Sequence, residues 1–198
     1  MSDELNIDST GHAMIVRFTR PEIRNPLSVK VLNQLHSVID DVVSRPEIEA
    51  LIFTGTEESF ASGADLREIA ALTAEKAPEF ASYGQRLMTR IAELEIKTFA
   101  AVNGFCFGGA LDLALACDFR IASGNAKFAH PGAGLGIITG WGGTQRLPRL
   151  IGTARSLELF FTASPISAVK ALSIGLIDSI VSDPVADSLA KFLRERSS

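Results

Sequence analysis

Short apolar runs alternate along this chain with longer stretches in which apolar residues recur every three or four positions. The runs have the length and composition of β-strands and lie at residues 5–8, 13–19, 51–54, 98–102, 119–122 and 176–181. The three- and four-residue spacing predicts helices at residues 28–44, 65–72, 78–95, 144–150, 154–162, 167–174 and 184–196. The first two strands read as a hairpin turned at residues 9–11. Strands that alternate with helices predict an α/β fold with largely parallel pairing.

The stretch at residues 98–123 combines a strand, a glycine pair, a helix and a second strand. Gly108 and Gly109 precede a run of helix formers, so backbone N–H groups are left unpaired at the helix start. Such donors, together with the helix dipole, suit an anion or a developing oxyanion. Asp112 is the single charged residue of this apolar helix and lies on the same side of its first turn. Helix capping by Asp112 and close packing at the glycines are the alternatives to a functional site.

Residues 128–143 are too rich in glycine for a regular element and too apolar for an ordinary exposed loop. Such a segment packs against another part of the molecule or against a ligand. Trp141, the only tryptophan, lies within this segment. The sequence is compatible with contact of its side chain with a pocket, with a subunit interface or with the core.

Composition restricts the class of protein. A chain of 198 residues with 46% hydrophobic content predicts one domain, residues 1–198, with a substantial core. The net charge of −4 argues against a nucleic-acid surface. No apolar run is long enough to cross a membrane, and residues 1–4 do not resemble a signal peptide, so we expect a cytoplasmic protein. Two cysteines, expected to be buried thiols, and three scattered histidines do not predict a metal site.

Several segments resemble the crotonase superfamily, the enoyl-CoA hydratases and isomerases. The loop FASGADL at residues 60–66 is similar to the family pattern A-F-x-x-G-A-D. The resemblance continues, in order and over nearly the whole chain, at residues 20–27, 101–104, 108–109, 116–118, 142–147 and 171–178. It implies a spiral of ββα units over residues 1–152 and a shortened helical C-terminal part over residues 153–198. It also implies homotrimers or hexamers, with a pocket that is more open or is closed by a neighbouring subunit.

The resemblance implies an enzyme that stabilises the enolate of an acyl-CoA thioester. It assigns the two oxyanion donors to the backbone N–H groups of Ala64 and Gly109, in agreement with the donors expected at the helix start. Coenzyme A would enter as part of the substrate, with no tightly bound cofactor and no metal. Arg24 is placed like family residues that face the coenzyme A phosphates, although a solvated loop arginine is equally compatible with the sequence. The positions to which the resemblance assigns substrate or coenzyme A binding are Arg24, Pro26, Ser62, Asp65, Leu66, Gly108, Pro131 and Gly132.

This chain departs from the family at its two catalytic glutamates. Asp112 stands at the first position and Gly132 at the second, so one of the two carboxylates is missing. Asp112 then serves as the principal acid/base, alone or assisted by His130, in an enoyl-CoA hydratase/isomerase-like reaction.

Two other readings of the departure stay open. Gly132 leaves room for a bulkier acyl group or for a bound anion, as in the dihydroxynaphthoyl-CoA synthases that use bicarbonate; those enzymes carry a further aspartate where this chain has Thr139. Such a member would be of the synthase, hydrolase or decarboxylase type. In the other reading, the protein binds acyl-CoA without turnover.

Overall fold

A six-stranded sheet forms the framework of the molecule. The computed structural model describes residues 4–196; residues 1–3, on which most of the signal-peptide expectation depends, lie outside the described residues, as do 197–198. The strands follow the order β1-β2-β4-β7-β9-β12. They are β1 (Leu5–Thr10), β2 (Ala13–Phe18), β4 (Ala50–Thr54), β7 (Lys97–Val102), β9 (Phe119–Ser123) and β12 (Ser179–Val181). β1 and β2 form the predicted hairpin, and every other pair in this sheet is parallel.

Strand β4 is buried along its whole length, and so is β7 beyond its first residue. Uninterrupted apolar runs of this kind are typical of parallel strands covered on both faces. The alternation of strands and helices in the sequence therefore predicted the fold class correctly.

A second layer consists of very short strands that the sequence pattern did not predict. Its four-stranded sheet has the order β11-β10-β8-β5, and β3 pairs with β6 separately. These strands are β3 (Pro26–Leu27), β5 (Ser59–Ala61), β6 (Gly63–Ala64), β8 (Phe105–Phe107), β10 (Lys127–Ala129) and β11 (Ile166–Ser167). β4, β7 and β9 each lead through a short connection into a strand of this second sheet. The arrangement agrees with the ββα spiral that the resemblance to the crotonase superfamily implies.

Eight helices complete the described part of the chain. They are α1 (Val29–Ser44), α2 (Leu66–Ala70), α3 (Ala77–Ala92), α4 (Gly109–Ala116), α5 (Gly143–Ile151), α6 (Thr153–Thr162), α7 (Ala168–Ser173) and α8 (Pro184–Arg196). α1 begins where the sequence predicted, because the Ser28 side chain accepts a hydrogen bond from the Val31 N–H at 3.2 Å. α4 lies at the centre of the molecule, and every residue from 110 to 116 is buried. Its position explains why the sequence tolerates only one charge there.

No helix within residues 4–196 combines the length and the apolar character needed to span a bilayer. Cys106 and Cys117 are both free and buried, as expected from their apolar neighbours.

Candidate active site

A cavity of about 100 Å³ opens at the start of α4. It is lined by residues from three segments, 62–69, 108–112 and 130–141, and is called the α4 cavity below. The first segment leads from β5 into α2, the second contains the glycine pair, and the third is the glycine-rich stretch. The fold therefore brings together the three sequence segments that carried the candidate chemistry.

Two backbone nitrogens adjoin in the wall of the α4 cavity. Gly108 has a φ of +54°, which turns the chain from β8 into α4, and Gly109 is the first residue of the helix. The N–H of Gly109 therefore has no acceptor within the helix. A Cβ atom on Gly109 would lie 3.4 Å from the backbone nitrogen of Ala64, and one on Gly63 would lie 2.7 Å from the nitrogen of Gly109. The two amides that the sequence singled out are thus close neighbours.

The carboxylate of Asp112 is completely buried beside these amides. Its Oδ2 accepts hydrogen bonds from the Thr139 hydroxyl and, at 3.3 Å, from the Trp141 N–H. Burial raises the pKa of Asp112 to about 7, and the hydrogen bonds from Thr139 and Trp141, the positive charge of Arg146 and the backbone N–H of Gly143 oppose that rise. A carboxyl group that titrates near neutral pH in a cavity is a candidate acid/base.

The imidazole of His130 lies next to this carboxylate. Its Nε2 is 3.7 Å from Oδ1 of Asp112, and its ring packs on Phe160 at 5.1 Å between centroids. Neither ring nitrogen has a hydrogen-bond partner among residues 4–196, and the residue is 3% exposed. Burial lowers the pKa of His130 to about 4, so the ring is neutral at pH 7.

Missing side chains make room for this cluster. A Cβ on Gly143 would lie 2.2 Å from Oδ1 of Asp112 and 3.0 Å from Cε1 of His130. Trp141 is buried in the cavity wall, and a Cβ on Gly109 would lie 2.4 Å from its ring. The sequence reasoning missed Gly143, for which the only signal is the glycine pair at 142–143. It left Trp141 open, and the structure places this side chain in both the pocket wall and the core.

The space beside Gly132 is closed in one direction only. A Cβ on this residue would lie 2.6 Å from the carbonyl oxygen of Ile137, whose N–H also donates to the Gly132 carbonyl oxygen at 3.0 Å. The 3₁₀ turn at Pro131–Leu135 carries the chain back onto Gly132. Backbone therefore occupies the direction of a side chain at Gly132, while the residue also lines two cavities, of about 100 Å³ and about 240 Å³.

The remaining predicted residues divide into two groups. Ser62, Leu66 and Pro131 line the α4 cavity together with Gly108 and Gly132, whereas Arg24, Pro26 and Asp65 do not. The carboxylate of Asp65 caps α2 by accepting from the Arg67 N–H at 2.9 Å and pairs with the Arg67 guanidinium at 2.6 Å.

Arg24 lies on the surface with its guanidinium 5.6 Å from the centre of the Phe105 ring. Pro26 pairs with Gly63 in the two-stranded sheet and so supports the loop that carries Ala64. Residues 4–196 contain no group of three or more His, Cys, Asp or Glu side chains that could hold a metal ion.

A second, apolar cavity of about 240 Å³ adjoins the α4 cavity and shares His130, Gly132 and residues 137–139 with it. Leu157, Phe160 and Phe161 of α6 supply the rest of its wall, together with Ala133, and it is called the α6 chamber below.

Comparison with known proteins agrees with this geometry. Residues 9–196 match the family described as enoyl-CoA hydratase/isomerase. The crotonyl-CoA hydratase of Syntrophomonas wolfei is 43% identical over 168 residues, which cover 84% of this chain and 65% of that protein. The short-chain-enoyl-CoA hydratase of Clostridium acetobutylicum is 41% identical over 182 residues, covering 90% and 70%. The crystal structure of enoyl-CoA hydratase from Bacillus anthracis has a TM-score of 0.90 at 35% identity and covers 98% of this chain and 76% of its own. The chain thus spans about two thirds of the length of these curated relatives.

Proposed function

Because the chain belongs to the enoyl-CoA hydratase/isomerase family, we propose that it adds water to the double bond of a 2-enoyl-CoA thioester. One observation carries the proposal. The Ala64 and Gly109 amides adjoin in a cavity that also contains a buried carboxyl group with a pKa of about 7. Relatives of the hydratase type favour this reading over a synthase, a hydrolase or a protein without turnover.

The two amides would hold the thioester oxygen. Addition at C3 pushes the electrons of the double bond onto this oxygen, and the negative charge of the enolate develops there. Preorganised N–H donors in a site shielded from water stabilise such a charge, each by a few kcal/mol. The N–H of Gly109 suits this role, because it stands at the start of a helix and adds the positive end of the helix dipole.

Asp112 would move the proton. Its carboxylate accepts a proton from water while the water oxygen bonds to C3 and the enolate forms. The protonated Asp112 then returns that proton to C2 as the thioester carbonyl re-forms. One carboxyl group with a pKa near the working pH serves both half-reactions, and the balance needs no cofactor beyond the coenzyme A of the substrate. His130, neutral and with its Nε2 3.7 Å from Oδ1 of Asp112, would assist the proton transfer.

The rest of the substrate would follow the walls of the two cavities. The acyl chain extends into the α6 chamber, whose lining is apolar. Ser62 and Leu66 contact the pantetheine arm, and the exposed guanidinium of Arg24 meets a coenzyme A phosphate. Asp65 contributes by fixing the start of α2 rather than by direct contact.

Hydration of crotonyl-CoA tests the proposal, followed by loss of the enoyl-thioester absorbance. We expect Asp112→Asn to lower kcat/KM by about 10²–10⁴-fold, the range for loss of a general acid/base. Asp41→Asn, which alters an exposed carboxylate at the far end of α1, is the matched control and leaves the rate unchanged. An Asp112→Asn protein with the parent's rate on every acyl-CoA tried would overturn the proposal. So would saturable acyl-CoA binding without product at high protein concentration.

We also propose that the protein assembles as a homotrimer or hexamer. Ile138 is 66% exposed and Phe161 77% exposed, and both line the open side of the α6 chamber. Apolar side chains grouped in this way favour association. Light scattering coupled to size exclusion tests the assembly, and a monomer at micromolar concentration contradicts it.

A further inference from the structure

We propose that Thr139 is a positioning residue: its hydroxyl holds Oδ2 of Asp112, so that Oδ1 is left to exchange the proton with the substrate. The inference rests on the proposed function of Asp112. Thr139 itself is half-buried in the wall of the α4 cavity and needs no contact with the reacting atoms for this role.

The hydrogen bonds of Asp112 are unevenly divided between its two oxygens. The Thr139 hydroxyl and the Trp141 N–H both donate to Oδ2, and both come from the same segment of chain. Oδ1 has no hydrogen-bond partner within normal distance among residues 4–196, and the Gly143 N–H is the one further backbone donor acting on the carboxyl group. Two donors on one oxygen fix the plane of the carboxyl group, and the other oxygen keeps its lone pairs for a proton.

The methyl group of Thr139 holds the hydroxyl in place. A Cβ on Gly143 would lie 2.9 Å from Cγ2 of Thr139, so this methyl group packs directly against the first turn of α5. A β-branched side chain has few χ1 rotamers, and packing of one branch fixes the direction of the other. The side chain of Asp112 is short and has little freedom of its own. A fixed Thr139 hydroxyl that donates to Oδ2 therefore sets the orientation of the carboxyl group.

Few charged groups lie near Asp112, so the hydrogen bond from the Thr139 hydroxyl has a large effect on its carboxylate. The titratable and charged groups that face Asp112 are His130 from the segment after β10, Arg146 from α5 and Cys106 from β8. His130 is neutral at pH 7, and burial keeps the Cys106 thiol protonated by raising its pKa. Arg146 is therefore the one positive charge of this set, and the Thr139 donor stabilises the ionised carboxylate beside it. A hydrogen bond to a charged group in a site of low polarity is stronger than one in water.

Thr139→Val tests this role because it preserves shape and removes only the donor. We expect the pKa of the acidic limb of the kcat/KM profile to rise by about one pH unit, so that the rate falls about fivefold at pH 7 and about tenfold well below it. Thr139→Ser keeps the hydroxyl and is expected to restore the parent's pH profile. Loss of packing alone would lower the rate at all pH values and would affect the serine variant more than the valine variant.

A direct titration separates this inference from the proposed function. In protein labelled with ¹³C at the aspartate carboxyl groups, the Asp112 resonance is assigned by its absence from Asp112→Asn. Its titration midpoint is expected to be higher in Thr139→Val by about one pH unit and unchanged in Thr139→Ser. Equal midpoints in the parent and the valine variant would overturn the role of Thr139. The two results can also differ. If the midpoint rises in Thr139→Val while Asp112→Asn keeps the full hydration rate, the contact between Thr139 and Asp112 is supported and the proposed function is contradicted.

Discussion

Replacing Asp112 by asparagine is expected to stabilise the fold, relative to the parent, progressively as the pH rises from about 4 to 7. The unfolded chain ionises this residue near its ordinary pKa of 3.8, whereas burial raises the pKa to about 7 in the folded protein. Between these values the folded parent holds one more proton than the unfolded chain. Its free energy of unfolding therefore falls as pH rises, and the stabilisation by this group is fully present only below pH 3.8.

The size of the effect follows from the gap between the two pKa values. A difference of about three pH units, at 1.36 kcal/mol for each, corresponds to roughly 4 kcal/mol of unfolding free energy. His130 acts in the opposite direction, because burial lowers its pKa from 6.5 to about 4 and the unfolded chain holds the extra proton. The two contributions cancel in the parent from about pH 4 to 6.5. In Asp112→Asn only the contribution of His130 remains, so the free energy of unfolding of this variant rises with pH over that range.

Urea unfolding at a series of pH values from 4 to 8 measures the effect. The quantity of interest is the difference in unfolding free energy between variant and parent, since the other ionisable groups contribute equally to both. We expect this difference to increase by about 4 kcal/mol from pH 4 to 7 and to level off above pH 7. Asp41→Asn, which removes an exposed carboxylate, is the surface control measured in the same series. A flat or falling line for Asp112→Asn would show that the carboxyl group is not buried as described and would refute the reasoning.

Three further predictions concern the same region. His130→Leu is expected to lose about 3 kcal/mol of stability relative to the parent between pH 4 and 6.5, measured by the same unfolding series, and a pH-independent difference would contradict it. Gly143→Ala places a methyl group 2.2 Å from Oδ1 of Asp112 and is expected to abolish crotonyl-CoA hydration, whereas Gly134→Ala meets nothing within 4 Å and is expected to be active. Both cysteines are fully buried, so a thiol reagent such as DTNB is expected to label the protein only after unfolding; rapid labelling of the native state would contradict their burial.

The sequence predicted those helices and strands that are long enough to show a periodic pattern of apolar residues. The long helices and the strands of the main sheet carry clear periodicity, and most of their predicted ends agree with the structure to within two residues. The helix predicted at 78–95 ends three residues earlier, at Ala92, and the last strand begins at Ser179 rather than 176. The two- and three-residue strands of the second layer are too short for any periodic signal, and tertiary pairing alone defines them.

The candidate site shows the same division. Ala64, Gly109 and Asp112 were identified from a motif and a helix start, which are local features, and the fold brings them together. The contact of Thr139 with Asp112 joins residues 27 positions apart. No local pattern encodes such a contact, so it becomes visible only in three dimensions.

The surroundings of Gly132 are equally invisible in the sequence. A glycine in a sequence indicates a missing side chain, but it does not say what surrounds the residue; here the backbone of Ile137 occupies the Cβ direction and two cavities adjoin the other sides.

The position of Trp141 gives the protein an optical reporter of its own. Its indole lies between a glycine of α3 and the first residue of α4, because a Cβ on Gly84 would lie 2.2 Å from its Nε1 and one on Gly109 would lie 2.4 Å from Cε3. It is the only tryptophan in the chain, so all indole fluorescence originates at the wall of the α4 cavity. We therefore expect an acyl-CoA titration to be followed by the emission of this one residue, without a dye or a fusion.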